Sequence, residues 1–160
     1  MINLRDIEIA IVDSLEKYLG CKVIRSNQTA PTPKYPYLSY TITSPMIVNN
    51  GTYGEFVEND TMIYRKEFQQ VWSFTVQSDD DMESKILALK AYDFFDNVGT
   101  TILNENSAVV QKLSNITNRD NILTIEYEYR NGFDVTFAFM NEITNETEEI
   151  NDFKFNYNSN

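Results

Sequence analysis

Strict alternation of large apolar and polar side chains is the feature that most limits what this chain can fold into. In "EFQQVWSFTVQS" (67–78), Phe68, Trp72, Phe74 and Val76 fall on one face, with Gln70 the odd member. In "FDVTFAFM" (133–140), one side is almost wholly aromatic or β-branched. Period-two runs of this kind are half-buried strands, which need a sheet with one covered face. Ten Tyr and ten Phe among 160 residues, with 42% hydrophobic residues, supply a core for one domain of ordinary size. "CKVIRS" (21–26), "YLSYTIT" (37–43), "SAVVQKLSNITN" (107–118) and "ILTIEYEYR" (122–130) add further strands. Asn131-Gly132, between the last strand and 133–140, has the residue types of a two-residue type I′ turn, so a hairpin is expected there.

Two stretches carry helical spacing instead. In residues 3–19, Leu4, Ile7, Ile11, Leu15 and Tyr18 recur on one face, Asn3 is placed to cap the start, and Gly20 to close the end. The second helix starts at Asp79-Asp80-Asp81, where carboxylates favour a helix N-terminus. Its apolar stripe is Met82, Ile86, Leu87, Ala91, Phe94, Phe95 and Val98, with Gly99 as its stop. The expected class is α+β: a mostly antiparallel sheet with two helices packed on one face. Residues 1–141 form the domain. Within it, "NQTAPTPKYP" is a proline-rich arm, and 44–66 form a long projecting loop or hairpin. Residues 142–160 form an acidic, Asn-rich tail in which "INDFKFNYN" can add one edge strand.

Little in the composition suits chemistry. The chain has no histidine, which removes His-based triads and the commonest zinc ligand. Its one cysteine, Cys21, follows a helix C-terminus, where the dipole opposes a thiolate. Glu126 and Glu128 lie two apart on a strand, and Asp79 to Asp81 crowd together. A solvated strand face and an acidic helix start account for them more simply than catalysis or a cation site. The five glycines form no phosphate-binding motif. A net charge of −11 without a basic stripe argues against nucleic-acid binding. No apolar run approaches the ~20 residues of a membrane span, and the amphipathic first helix is unlike a signal peptide. No cofactor is expected, and synthesis in the cytosol is.

Taken together, "APTPKYPYLSYTITSP" (30–45), "WSFTVQSDD" (72–80), "NRDN" (118–121) and "EYRNGFDVTFAF" (128–139) resemble the phage neck or tail terminator family over residues 3–140. The resemblance implies a terminator-like fold without catalysis and a six-fold homo-oligomeric ring on the last ring of the tail tube. It implies that the ring ends polymerisation of the tube, and of the sheath where the tail is contractile, and that it docks the head connector. It further implies that DNA passes through the lumen unbound, that no membrane takes part, and that assembly in the bacterial cytoplasm leaves the protein in the virion neck. Intersubunit or docking residues are then expected in the arm (Pro31, Pro33, Tyr35, Pro36, Tyr37) and in the excursion (Met46, Tyr53, Phe56, Met62, Tyr64). They are also expected at Arg119, Asp120, Arg130 and Asp134. Arm and excursion remain open to a plainer reading as surface loops, and Asn118-Arg119-Asp120 to one as a turn with a local ion pair. The alternatives are a head-completion or other minor tail protein, a soluble small-ligand-binding α+β domain, and an enzyme using carboxylates alone.

Overall fold

The structure is a computed structural model that describes residues 1–48, 54–59, 61–120 and 127–146. It is an α+β fold with helices α1 (Leu4–Leu19), α2 (Asp81–Asp93) and α3 (Thr100–Glu105). The strands are β1 (Lys22–Arg25), β2 (Tyr37–Ile47), β3 (Gly54–Glu58), β4 (Thr61–Ser78), β5 (Val109–Leu113), β6 (Thr117–Asn118) and β7 (Tyr129–Glu146). They make one sheet in the order β1-β2-β4-β7-β5, with β3 beside the start of β4 and β6 beside β7. Among the described residues, β1 and β2 are the one parallel pair. No described helix is long and apolar enough to cross a membrane.

The central ladder is β4 against β7. It runs unbroken from Thr61 opposite Glu146 to Ser78 opposite Tyr129. At ~3.3 Å per residue, 18 residues extend about 60 Å. Because paired residues share a face, Phe68, Trp72 and Phe74 stand beside Phe139, Val135 and Phe133. Tyr40 stacks on Trp72 at 5.5 Å, Phe137 meets Trp72 edge-on at 5.3 Å, and Phe95 approaches Phe74 at 4.8 Å. Such rings carry much of the core's burial energy, with offset and edge contacts adding to it. The opposite face holds Ser39, Thr41, Ser73, Thr75 and Thr136 and, among the described residues, carries no helix.

The two predicted helices cover the aromatic face. Asn3 caps α1 by accepting the Asp6 amide hydrogen, and Ile7, Ile11, Leu15 and Leu19 are buried. Asp80 caps α2 by accepting from the Glu83 amide at 2.7 Å, and Asp81 pairs with Lys85 at 2.7 Å. The acidic triplet is therefore the start of a helix. The buried face of α2 follows the expected stripe only in part: Ala91 is buried and Leu87 packs against the core, while Met82 and Ile86 are left outside. Small residues Ser84, Ala88 and Ala91 turn inward and let the helix lie close to the sheet, so Met82, Ile86 and Leu89 remain more than half exposed. Gly99 does not stop the chain's helical course. A π turn, Phe94–Val98, carries α2 through Gly99 into α3 and buries both Phe94 and Phe95, and the Phe94 ring occupies the space where a Gly99 side chain would sit.

The expected hairpin turn at Asn131-Gly132 is replaced by continuous strand. Both residues lie inside β7, opposite Val76 and Thr75. Local turn preference yields to the long ladder, which orders the whole aromatic face. Asn131 is buried and donates to the Ser84 hydroxyl at 2.6 Å, fastening α2 to the sheet. The 107–118 strand divides into β5 and β6. Most of the 122–130 strand, and all of the tail beyond Glu146, lie outside the described residues. Residues 44–66 prove largely regular: β2 continues to Ile47, and β3 and β4 form a hairpin in which Glu58 pairs with Thr61.

Gln70, the polar intruder on the apolar face, is 4% exposed and bridges two groups. It accepts the Trp72 indole N–H at 2.9 Å and donates to the Pro45 carbonyl at 2.8 Å. Gln70→Ala leaves the Trp72 indole N–H unpaired in a closed core, so urea unfolding is expected to show a loss of about 1–3 kcal/mol. An unchanged midpoint would contradict this role.

Candidate interaction surfaces

The residues singled out in the sequence gather in two regions of the sheet. The first lies on the helix-free face, where the segment after β6 brings Arg119 over Gly132. Its guanidinium donates to the Ser73 hydroxyl at 2.7 Å, the Thr75 hydroxyl at 3.0 Å and the Phe74 carbonyl at 3.4 Å. It also pairs with Asp134 at 3.0 Å. The position is built by neighbouring bonds: the Arg119 amide donates to the Arg130 carbonyl at 2.8 Å, and Asp134 N–H donates to the Ser114 hydroxyl at 2.8 Å. Asp120 accepts the Arg130 amide hydrogen.

Gly132 is the complement of this arrangement. A side chain there would come within 2.3 Å of the Phe74 carbonyl oxygen, 2.8 Å of the Thr75 hydroxyl and 2.9 Å of the Arg119 guanidinium. A strand glycine often marks such a close approach. Asp134 is 44% exposed, so its ion pair with Arg119 is weakened by water. The hydrogen bonds to both hydroxyls, with the arginine only 26% exposed, do more to hold the segment.

The proline arm joins the same face. Tyr35 stacks on Tyr37 at 5.7 Å, and its hydroxyl donates to the Glu128 carboxylate, which also receives the Arg130 guanidinium. Burial, with the nearby Glu128 charge adding to it, pushes the Tyr37 phenol up. Pro31 is exposed, while Pro33 and Pro36 are half-buried. Beneath the arm lies a cavity of about 220 Å³ bounded by Pro31, Tyr37, Ser39 and Gln77, in which the Gln77 amide is hydrogen-bonded to the Ser39 hydroxyl at 2.7 Å. Tyr35, Tyr37, Arg119, Asp120, Arg130 and Asp134 thus belong to one intramolecular network. Glu126 lies outside the described residues.

The second region is a ribbon of β3, β4 and β7. From Arg65 to Ser73 along β4 is roughly 27 Å, so it is well separated from the first region. Arg65 pairs with Glu142 at 2.6 Å and lies 4.6 Å from the centre of the Phe56 ring. Phe56, Met62 and Tyr64 are half-buried, and Tyr53 lies outside the described residues. Exposed apolar side chains are spread over this region: Val57, 60% exposed, and Ile143, 44%, lie opposite Met62 and Tyr64 on one face, Met140, 49%, lies opposite Glu67 on the other, and Met46, 61%, stands on the neighbouring β2. Of these only Met46 stands out in the sequence. Val57 falls there within the 44–66 excursion, Met140 at the end of a strand and Ile143 in the tail, and alternation shows which side a residue takes but not whether anything covers that side.

A third surface was not foreseen. Met82, Ile86 and Leu89 form the exposed stripe of α2, on the opposite side of the sheet from the Arg119 network. Beside it, Met82 and Ile86 join Leu19, Cys21 and Pro36 around an open groove of about 480 Å³. Burial pushes the Cys21 thiol up, and Glu16 adds to the effect, so the thiolate is disfavoured. Among the described residues, no cluster of three or more acidic or cysteine side chains is arranged to hold a metal ion.

A family model described as phage neck terminator protein matches residues 9–160. The match takes in the ribbon and the residues after Glu146, beyond the 3–140 over which the sequence motifs resemble that family. No curated protein matches the chain.

Gly132→Ala is expected to lower stability by about 1–3 kcal/mol in urea unfolding. Adding Arg119→Ala should not restore it, because the nearest obstacle is the Phe74 backbone carbonyl. A neutral Gly132→Ala, or full rescue by the second change, would contradict the close approach.

Proposed function

Because the chain belongs to the phage neck terminator family, which makes it a structural protein of the phage tail and neck that associates with other tail and head proteins, we propose that it is the subunit of a terminator ring. Six copies close on the last ring of the tail tube. The ring ends tube polymerisation, and sheath polymerisation where the tail is contractile, and offers its other side to the head connector. Assembly takes place in the bacterial cytoplasm, and the chain does no catalysis.

One observation carries this reading: the chain has two different apolar surfaces with nothing over them among the described residues. One is the ribbon, with Val57 and Ile143 on one face, Met140 on the other and Met46 on the neighbouring β2; the other is the α2 stripe of Met82, Ile86 and Leu89. Contiguous exposed apolar patches mark interaction sites. Two unlike patches suit heterologous, head-to-tail contacts, which close into rings when the rotation permits. The net charge of −11 suits a lumen that repels phosphate and lets DNA pass. The intramolecular bonding of Arg119, Asp134, Arg130 and Tyr35 supports a structural role for them, with docking left to the ribbon and the helix stripe.

The double variant Met46→Asp/Val57→Asp tests this directly. Both side chains are mostly in water, so stability should change by no more than about 0.5 kcal/mol. In cells lacking the wild-type protein, the variant should give tails of uncontrolled length that fail to join heads, as seen by electron microscopy. Tails of normal length joined to heads would contradict the proposal.

A further inference from the structure

The two strands that flank the central ladder carry extra residues, and these fall at one level of the sheet. In β2, Ile42 lies opposite Trp72 and Ser44 opposite Val71, so Thr43 has no counterpart. Ile47 then lies opposite Gln69, so Pro45 and Met46 together stand against Gln70. On the far side of the ladder, Val110 faces Phe137 and Lys112 faces Thr136, which makes Gln111 of β5 extra as well. Because Gln70 pairs with Phe137 and Val71 with Thr136, these bulges share one transverse band, while β4 and β7 keep their register straight through it. A bulge bends its strand and increases the local right-handed twist. Where a sheet twists about its middle strands, the strands on either side follow the longer path. Extra residues in β2 and β5, with none in β4 or β7, therefore mark a local twist about the central pair.

Side chains hold this band. The Thr43 hydroxyl donates to the Val71 carbonyl at 3.1 Å, and the Gln70 amide donates to the Pro45 carbonyl at 2.8 Å. Proline has no N–H to give a ladder, so a bulge is a position it can take. Gln70 also accepts from the Trp72 indole, which joins the second β2 bulge to the buried core. Beyond the band the ladder continues as the ribbon. A further bond, from the Ile2 amide to the Asn141 side chain at 3.2 Å, ties the ribbon to the start of α1.

We propose that this band is a fixed joint that aims the ribbon: the bulges of β2 and β5, held by Thr43 and Gln70, set the angle at which the ribbon leaves the helix-covered part of the sheet. From Gln69 to Thr61 the ribbon extends roughly 26 Å, so a change of ~20° at the band, the size of ordinary twist between neighbouring strands, carries its end about 9 Å. An exposed side chain such as Val57 would then meet a neighbouring molecule at a different place. The angle belongs to the free chain, so its test does not depend on ring formation.

Spin-label distances on the full, free chain in a Cys21→Ser background provide that test. One label sits on the ribbon at Glu58→Cys, and the other on the body, at Leu89→Cys of α2 or at Asn115→Cys beyond β5. In the parent chain each pair should give one narrow distance distribution. Deleting Thr43, or deleting Gln111, removes one bulge and leaves the rest of its strand in phase, since Ser44 and Lys112 already face the ladder positions that follow. Either deletion variant, shown to be folded by circular dichroism, should shift at least one mean distance by about 5 Å or more. A broad distribution in the parent chain, or unchanged distances in a folded deletion variant, would overturn the proposal.

Discussion

Everything in this molecule is arranged around the register of one antiparallel pair. Over 18 residues each, β4 and β7 pair without a slip, and a slip of one residue would send every aromatic ring to the opposite face. The ladder sets Phe68, Trp72 and Phe74 beside Phe139, Val135 and Phe133, and the helices then have one apolar surface to cover. It also forces Gly132 to be glycine, because that position faces the Phe74 carbonyl and the Arg119 guanidinium. Polar groups admitted to the core are those that fasten neighbours to this pair. Gln70 ties Trp72 to the Pro45 carbonyl, and Asn131 ties α2 through Ser84. No buried side-chain polar atom lacks a partner among the described residues.

The ladder outlasts the core that covers it, and the proposed function follows from this mismatch. The helices shelter the aromatic part of the sheet, while β4 and β7 continue past them with β3 alongside. Among the described residues, side chains near the end of this extension have nothing over them: Val57 is mostly in water and Ile143 nearly half. The small residues Ser84, Ala88 and Ala91 that let α2 approach the sheet have a parallel effect, since they leave Met82, Ile86 and Leu89 outside. Apolar surface in two unlike places fits a subunit that meets different neighbours on its two sides.

Fold class, both main helices and the aromatic face are legible in the sequence because period and capping are local signals. Phe68, Trp72, Phe74 and Val76 declare their shared face by spacing alone, and Asp80 declares a helix start by its side-chain chemistry. What misleads is any feature whose meaning depends on a distant partner. Asn131-Gly132 has the composition of a turn, yet it is strand because β4 lies beside it and Arg119 crosses above it. Gly99 has the look of a helix stop, yet Phe94 needs its empty side. The first turns of the α2 stripe are misjudged because Ser84 and Ala88 carry a weak hydrophobic signal but fit a close approach that larger residues would prevent. Arg119 and Asp134 are marked out in the sequence only through the family resemblance, as docking residues, and their inward engagement depends on Ser73 and Thr75, more than 40 residues earlier in the chain.

Met46 and Met82, one on each apolar surface, are both 61% exposed and report on the central claim without any substitution. Thioether oxidation follows solvent access. Brief oxidative footprinting with mass spectrometry, on the free chain and on assembled particles carrying it in the neck, compares the two states directly. Both methionines should oxidise readily in the free chain and be strongly protected in the particle. Equal oxidation of both in the two states would contradict the assignment of these surfaces to contacts between subunits.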